Sequence, residues 1–599
     1  MNLLRNCGPC RPQTSQASLS QDLIYEKVRR RVQSSKAGWD ATSSTITVFT
    51  ASFPNPIETM FDLQTLLLYL PLATSALATT IPPLPTAVVP LVPSSISSAF
   101  ASSLAVNSAT RSQDVWPYQT FHSSPLQPPV LSIHKSDAAL AAGLLFFDPE
   151  DESMAVKGAH TDAPMIMTDD GELVWMGPNP QLSTNLRVQS LDGKDVLTYW
   201  HGIGSDIGHG YGSVVVLDDT YTQITEVCPK LGLVTPKNVT WPCDADLHES
   251  YITDRGSIIV TAVNVTRADL SGVEGAGQPD GWVFDNLFYE IDVTTGDVLF
   301  RWSALEAGIA INSSFAPYDN TTTNSQDNPY DWFHMNAVQQ VGDGYIANSR
   351  YTWTTYKLDS TGKIEWRIQG QDGGDFTLPE GVHFEWQHDA RISSSTTTSA
   401  TLHYFNNYNS NFNCCTHTHP SQGLELHLDL TNRTATLLKS LEDPTDLIYT
   451  QSQGSFQPLS NGNTLLGYGS EAVIKEYGPV SDGNTDSDVR MTIQFGYTSP
   501  QPVVQSYRVY RQAWHATPAS VPDVVADNGN VWMSWNGATD VTKWAVYAGP
   551  SETGLRKVGT VDKRGFESSF GLKGNASWVQ VAALQDGEVV RKSRVVRVG

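Results

Sequence analysis

Short stretches of alternating apolar and polar residues break at an acidic residue and a glycine, then resume, and this unit recurs along the middle of the chain. It reads Met167-Thr-Asp169-Asp-Gly171-Glu-Leu-Val-Trp175, Val216-Leu-Asp218, Glu290-Ile-Asp292-Val-Thr-Thr-Gly296, Lys357-Leu-Asp359-Ser-Thr-Gly362-Lys-Ile-Glu-Trp366, His427-Leu-Asp429-Leu-Thr431 and Ile474-Lys-Glu476-Tyr. Alternation with a period of two marks half-buried strands. An Asp that bonds its own turn backbone, followed by a Gly that accepts positive φ, joins two of them tightly. The acidic positions 169, 218, 292, 359, 429 and 476 predict six copies of one antiparallel unit. Radial repetition protects the sheet edges, so the expected fold is all-β, a six-bladed β-propeller over residues 113–516. Trp175, Trp302 and Trp366 follow the turns and are expected to pack between neighbouring blades. An irregular sandwich is the competing reading of the same pattern.

The rhythm changes after Pro518. Val531-Trp-Met-Ser-Trp535-Asn-Gly, Trp544-Ala-Val-Tyr-Ala-Gly549 and Trp578-Val-Gln-Val-Ala-Ala583 alternate at regular spacing, which predicts a small fibronectin type III-like β-sandwich over residues 517–599. Residues 1–59, with Cys7-x-x-Cys10 and the basic run Arg29-Arg30-Arg31, show no strand rhythm and read as a disordered or mis-assigned leader. From Met60 the apolar run Leu66-Leu-Leu-Tyr-Leu-Pro-Leu72 precedes Ala76-Leu77-Ala78, a small-residue cleavage pattern. Residues 60–78 are therefore expected to be a signal peptide, or a single-pass membrane anchor if they are not cleaved. Asp62 stands where such segments usually carry a basic residue, and the apolar core before Pro71 is short for a span. Residues 79–112 are a Pro/Ser-rich linker.

Charge narrows the chemistry. With 62 acidic against 38 basic side chains the formal net charge is -24, which excludes nucleic acid as a partner because phosphate binding depends on Lys and Arg. An anionic substrate needs a local group of positive charges in that negative field. Six Asn-x-Ser/Thr sequons, at Asn238, Asn264, Asn312, Asn320, Asn432 and Asn575, agree with a secreted, extracellular glycoprotein. Cys228 and Cys243 bracket a short loop and are expected to pair in an oxidising compartment, whereas Cys414 and Cys415 have no assigned partner.

Reading each unit backwards from its acidic turn leads to the strand nearest the axis of the repeat. Leu247-His248-Glu249 leads into Arg255-Gly256-Ser-Ile-Ile-Val-Thr, Asp331-Trp-Phe-His334-Met-Asn336 into Gly342-Asp-Gly344-Tyr-Ile-Ala, and Trp386-Gln-His388-Asp389-Ala-Arg391 into Thr401-Leu-His-Tyr-Phe. A lone histidine is most often a hydrogen-bonded structural residue. His248, His334 and His388 at equivalent places in successive units are instead predicted to meet at one mouth of the central channel. Arg350, closing Tyr345-Ile-Ala-Asn-Ser-Arg350, adds a fixed cation beside His334, and its planar fork suits an oxyanion better than an ammonium does.

Taken together, Asn185-Leu-Arg-Val-Gln, Leu197-Thr-Tyr-Trp-His-Gly202, Gly208-His-Gly-Tyr-Gly212, Asp331-Trp-Phe-His334-Met-Asn336, Trp386-Gln-His388-Asp-Ala-Arg391 and Ser506-Tyr-Arg-Val-Tyr-Arg511 make the chain from about Trp116 to Pro518 resemble the fungal arylsulfotransferase-like proteins, a family related to bacterial aryl-sulfate sulfotransferases. The resemblance implies a six-bladed propeller and sulfuryl transfer from an aryl sulfate to a phenolic acceptor without a nucleotide donor; no cofactor and no metal are expected. It places the nucleophile, and hence a sulfohistidine, on His388. The anion-binding set falls on His248, His334, Asn336 and Arg350. Tyr351 departs from the bacterial pattern, which tends to have His after the Ser-Arg pair.

Other motifs carry less. Gly208-x-Gly-x-Gly212 lacks the helix that a phosphate loop needs, and no Gly-x-x-x-x-Gly-Lys-Ser/Thr occurs. Asn413-Cys-Cys-Thr-His417-Thr-His419 has metal-ligand residue types at a spacing that fits no closed zinc site. Two further functions share the overall pattern. One is a non-catalytic secreted binding propeller whose Trp and Tyr side chains contact glycans or a partner. The other is a quinoprotein-like or metal-dependent oxidoreductase, since three histidines can hold a metal.

Overall fold

Most of the acidic positions sit where two outer strands meet. The computed structural model describes residues 116–599 apart from 151–162, 179–181, 206–207, 278, 321–322, 324, 409–418, 480–487 and 499–503. Asp218 accepts backbone N–H bonds from Thr220 and Thr222, Asp292 from Thr294 and Thr295, Asp359 from Thr361 and Lys363, and Asp429 from Thr431 and Asn432. Asp169 lies in a similar turn but is held by Lys135 and Arg511. Gly296 and Gly362 adopt φ of 76° and 87°, the left-handed region that these turns demand of a glycine. The sixth position differs: Glu476 is buried inside the strand Val473–Tyr477 and pairs with Arg511 at 3.0 Å, so it is a core carboxylate and not a turn residue. The expected leader, signal or anchor segment and linker, together with Cys414 and Cys415, lie outside the described residues.

The chain is all-β, with no α-helix among the described residues. Six antiparallel four-stranded meanders follow one another. The first joins Val509–Gln512 to Leu144–Phe147, Met165–Met167 and Leu173–Met176, so its leading strand comes from the far end of the repeat. The second runs Ser183–Leu191, Lys194–Gly204, Gly210–Leu217 and Gln223–Val227, and the third Ser250–Ile252, Ser257–Ala268, Gly281–Asp292 and Val298–Ser303. The fourth is Met335–Val341, Gly344–Ser349, Thr354–Leu358 and Ile364–Gln369, and the fifth His388–Ser395, Ser399–Asn406, Gln422–Asp429 and Thr434–Leu441. The sixth is Ser455–Pro458, Thr464–Gly467, Val473–Tyr477 and Val489–Gln494, with Ser132–Lys135 added on its outside. Ser455–Pro458 touches Val509–Gln512, and that strand touches Ser183–Leu191, so the series returns to its start.

Large side chains fill the gaps between sheets. Phe288, Trp302, Phe333 and Tyr356 pack between the third and fourth, and Ile346, Trp366, Tyr404 and Leu426 between the fourth and fifth. Trp302 donates its indole N–H to Gly362 O in the next sheet's turn, and Trp175 stacks on Tyr221 of the second sheet's turn at 5.0 Å. Both tryptophans therefore pack between neighbouring sheets.

The leading strands carry the features that build the site. Their pairing slips between Thr184 and Arg187, between Met335 and Ala337, and between His388 and Arg391. Bulges of this kind re-aim adjacent side chains. His388 reaches the cavity described below, while Asp389, at φ 51°, joins a buried ion cluster. In that cluster Glu249 meets Arg187 at 3.0 Å, Arg508 at 3.1 Å and Arg391 at 2.7 Å. Asp389 meets Arg391 at 3.0 Å and Arg508 at 3.4 Å. Val338 N–H donates to Glu249 and Phe456 N–H to Asp389, so each of the six sheets, through its leading strand or the approach to it, contributes to one set of charges.

The C-terminal strands form two further sheets. Asp523–Asp527, Asn530–Ser534 and Glu567–Gly571 make one; Arg556–Asp562, Lys543–Gly549, Trp578–Gln585 and Glu588–Lys592, with Val596–Arg597, make the other. They enclose Trp535, Trp544, Val546 and Val581. Asn536 exchanges two hydrogen bonds with the backbone of Met176, and Gly537 N–H donates to Val174 O. Gly537 holds φ 95° and a Cβ there would enter the Tyr221 ring, so this contact with the second sheet's turn requires glycine. Cys228 and Cys243 are joined by a disulfide.

Candidate functional site

The approach to each leading strand decides where the histidines go. His248 lies just before Ser250–Ile252, His334 at φ 53° immediately before Met335–Val341, and His388 opens His388–Ser395. The three line one cavity of about 540 Å³ together with Arg350, Tyr507 and Gln453. The rings of His248 and His334 are 4.8 Å apart, and Tyr507 stands 5.6 Å from His248 and 6.3 Å from His388. Arg350 donates to Tyr351 Oη at 3.1 Å and Gln451 O at 3.0 Å, with its guanidinium 5.0 Å over the Tyr351 ring. Tyr351 itself packs 4.7 Å from His334. Asn336 is placed differently: its amide donates to Gln387 O at 2.8 Å and accepts from Asn348 at 2.7 Å, and it does not line the cavity. The structure thus brings His248, His334, His388 and Arg350 together and sets Asn336 in the hydrogen-bonded layer behind them.

The three histidines have different partners. His248 Nδ1 is 2.5 Å from Asp246 Oδ2, and His334 Nδ1 is 2.5 Å from Asp331 Oδ2. His388 Nδ1 instead faces the side-chain oxygen of Asn407 at 2.6 Å. Asn407 donates its NH2 to Gln453 O and Thr450 O, which fixes that oxygen towards the ring. Nδ1 of His388 therefore carries the proton, and Nε2 holds a lone pair, which accepts Gln453 N–H at 3.1 Å. Burial, with Arg350 nearby, lowers the pKa of His388 well below its usual value. Burial also lowers His248, and lowers His334 to about 3 against the pull of Asp331.

A fourth histidine completes the arrangement. His209 is buried behind His248 and His334, its Nδ1 3.3 Å from Asp246 and its Nε2 2.9 Å from Asp331. Burial opposes its charge, but Asp331 and Asp246 raise its pKa to about 10. The sequence reading missed it because Gly208-His-Gly-Tyr-Gly212 looks like a turn. Those glycines serve packing: a Cβ at Gly210 or Gly212 would enter the Trp200 ring. The usable signal was the acid placed just before two of the site histidines, Asp246-x-His248 and Asp331-x-x-His334.

Ligand atoms of His209, Asp246 and His248, and of His209, Asp331 and His334, lie within 4.8 Å of one another, a spacing compatible with a metal ion. The contacts within both groups are nitrogen-to-carboxylate hydrogen bonds, and neither group includes His388.

No curated protein matches the chain. Among solved structures, a periplasmic gluconolactonase of Pseudomonas aeruginosa is similar over 61% of this chain and 99% of its own, at 9% identity and a TM-score of 0.31. An α-L-arabinanase of Penicillium chrysogenum is similar over 66% and 94%, at 10% identity and a TM-score of 0.29. Likeness of that degree says nothing about chemistry here. A family model described as arylsulfotransferase (ASST) matches residues 187–496, more than half of the chain, and its span takes in His209, His248, His334, Arg350 and His388. The chain belongs to the arylsulfotransferase family.

Proposed function

We propose that this protein moves a sulfuryl group from an aryl sulfate to a phenolic acceptor through a sulfohistidine on His388. The observation that carries the reading is the partner behind each ring: Asp246 and Asp331 behind His248 and His334, but Asn407 behind His388. A carboxylate supports a second proton on a ring when an anion arrives. An amide oxygen gives no such support, so His388 stays neutral, with its lone pair on the nitrogen that must attack.

In the first step Nε2 of His388 bonds to sulfur while the S–O bond to the aryl group breaks. The phenolate leaves with the bonding pair and takes a proton from His248 or His334. In the second step a phenol oxygen attacks sulfur, the N–S bond breaks with its pair returning to Nε2, and the phenol's proton goes to the same histidine. Negative charge spread over the three peripheral oxygens faces Arg350 and the two carboxylate-backed rings. Tyr330, Tyr351 and Tyr507 supply aromatic wall for the aryl group. Gln453 N–H caps Nε2 at rest, and entry of the donor displaces it. The six meanders serve as the blades of a six-bladed propeller, and the C-terminal sheets as a fibronectin type III-like module braced against the first blade. Mixing wild-type protein with p-nitrophenyl sulfate and no acceptor is expected to give a burst of p-nitrophenol and one sulfuryl group on the peptide containing His388 by mass spectrometry. Turnover with neither burst nor adduct sinks the mechanism.

The same reading makes the protein an exported one, on the strength of the segment 60–78, the disulfide and the sequons. Asn238, Asn312, Asn320, Asn432 and Asn575 are exposed, while Asn264 is half-buried and its side-chain oxygen accepts Val234 N–H. The secreted protein is expected to begin near Thr79 by N-terminal sequencing and to lack a glycan at Asn264. Recovery of an unglycosylated chain starting at Met1 from the cytosol rules this out.

A further inference from the structure

Behind the cavity runs a buried chain of five groups, His248, Asp246, His209, Asp331 and His334, whose central member has no part in the transfer chemistry above. We propose that His209 is a positioning residue: clamped between Asp246 and Asp331, it fixes both carboxylates as the Nδ1 partners of His248 and His334, so that an oxyanion entering the cavity is captured together with a proton that bonds to Nε2 of one of those rings. The proposal rests on the cavity being an anion site, as read above.

The geometry leaves one arrangement of protons. His209 lies within hydrogen-bond reach of a carboxylate at each ring nitrogen, and an acceptor-only carboxylate at both ends requires N–H at both ends, which is an imidazolium. Gly210 N–H and Thr261 Oγ1 also donate to Asp246, and His334 N–H to Asp331, so neither acid is free to turn away. His248 and His334 each direct Nδ1 at a carboxylate and keep Nε2 for the cavity.

Charge then decides what an anion meets. The two carboxylates are offset in part by His209, and beyond them the charged groups on the cavity wall, among the described residues, are Arg350 and Glu150. Tyr330, Tyr351 and Tyr507, which also face the cavity, keep their protons because burial raises each of them. His388 is neutral. An arriving oxyanion therefore faces lone pairs on His248 and His334 until one ring gains a second proton from solvent, whose new N–H donates to the anion while Nδ1–H stays on its carboxylate. Burial is the main cause that keeps both rings neutral at rest, and the positive charge of His209 adds to it. Without that charge, only burial opposes the pull of Asp246 and Asp331, and protons move onto His248 and His334 at a higher pH than in the wild type.

The sign of the pH effect follows. His334 titrates at about 3 in the empty site and must titrate higher with an anion on Nε2, so anion affinity is highest in acid and falls as pH rises. The limit is about tenfold per pH unit for each proton taken up.

Calorimetric titration of inorganic sulfate into the full-length protein, in buffers of different ionisation enthalpy, is expected to show uptake of about one proton per sulfate and an affinity that falls with rising pH. His209→Gln is expected to lose that uptake near neutral pH, or to move it to higher pH. A purely structural role would weaken binding and leave uptake per sulfate unchanged, and that result overturns the proposal. So does wild-type protein that binds sulfate without taking up a proton, or that binds none, whatever the variant does. Sulfate binding with proton uptake but no turnover of p-nitrophenyl sulfate retires the transfer reading and leaves this one standing.

Discussion

His388→Ala is expected to give a folded protein that forms no sulfuryl adduct and turns over p-nitrophenyl sulfate more slowly by on the order of 10⁴-fold or more, the scale on which removal of a covalent nucleophile acts. The ring's hydrogen-bond partners are Asn407 and Gln453, and its loss leaves the ion cluster at Glu249 intact, so far-ultraviolet circular dichroism should be unchanged. The control that isolates chemistry from shape is Asn407→Asp. It keeps the outline of the side chain but sets a carboxylate against Nδ1, which stabilises the imidazolium and raises the pKa of His388. A raised pKa leaves less neutral ring at a given pH, so the acid limb of the rate profile should move to higher pH, with activity recovering as the medium becomes more alkaline. Full transfer by His388→Ala, or an unmoved profile in Asn407→Asp, would falsify the assignment.

The second large effect is on stability. Glu249→Ala is expected to destabilise the fold by about 3–5 kcal/mol, because it strands buried arginines without their shared partner. Set against total stabilities of roughly 5–15 kcal/mol, that is enough to depress the denaturation midpoint strongly and to lower yield. Burial alone would raise the carboxyl pKa of Glu249, but Arg391, Arg508 and Arg187 hold it far below the ordinary range. A depressed carboxylate contributes stability that is complete above its unfolded value, about 4.3, and is lost only as pH falls towards the folded one. Wild type should therefore hold its midpoint from neutral pH down to mild acid as far as this group is concerned, with Glu249→Ala low throughout. Chemical denaturation across that range checks both points. A variant with the wild-type midpoint would show that the cluster is not what ties the sheets together.

What could be read from the sequence follows from how local each interaction is. The turn aspartates bond backbone two to four residues away, as Asp359 does to Thr361 and Lys363, so their spacing is visible in a single stretch of text. Glu476 looked like one of them because only its neighbours were in view, whereas its partner Arg511 comes from the strand that closes the first sheet. The site histidines were legible as equivalent positions in a repeat. His209 was not, because its carboxylates lie 37 and 122 residues away and its flanking glycines imitate a turn. Glu249 and Asp389 follow His248 and His388 directly, and the bulge between His388 and Arg391, which accompanies the turn of Asp389 away from the cavity to the ion cluster, leaves no mark in composition. The far partner, Arg508, is 259 residues from Glu249.

The strand Val509–Gln512 is the last of the twenty-four in the six meanders to be synthesised, yet it is the leading strand of the first. While a ribosome still holds residues 507–512, Leu144–Phe147 has an open edge, Glu249 lacks Arg508 and the cavity lacks Tyr507. Tyr507 of the pocket and Arg508 of the ion cluster therefore arrive together and late, on the segment that comes round to pair with the chain's own beginning. A product cut short before Tyr507 keeps His248, His334, Arg350 and His388 but lacks one aromatic wall of the cavity and the arginine that pairs with Glu249 beneath it, however well its earlier sheets have formed.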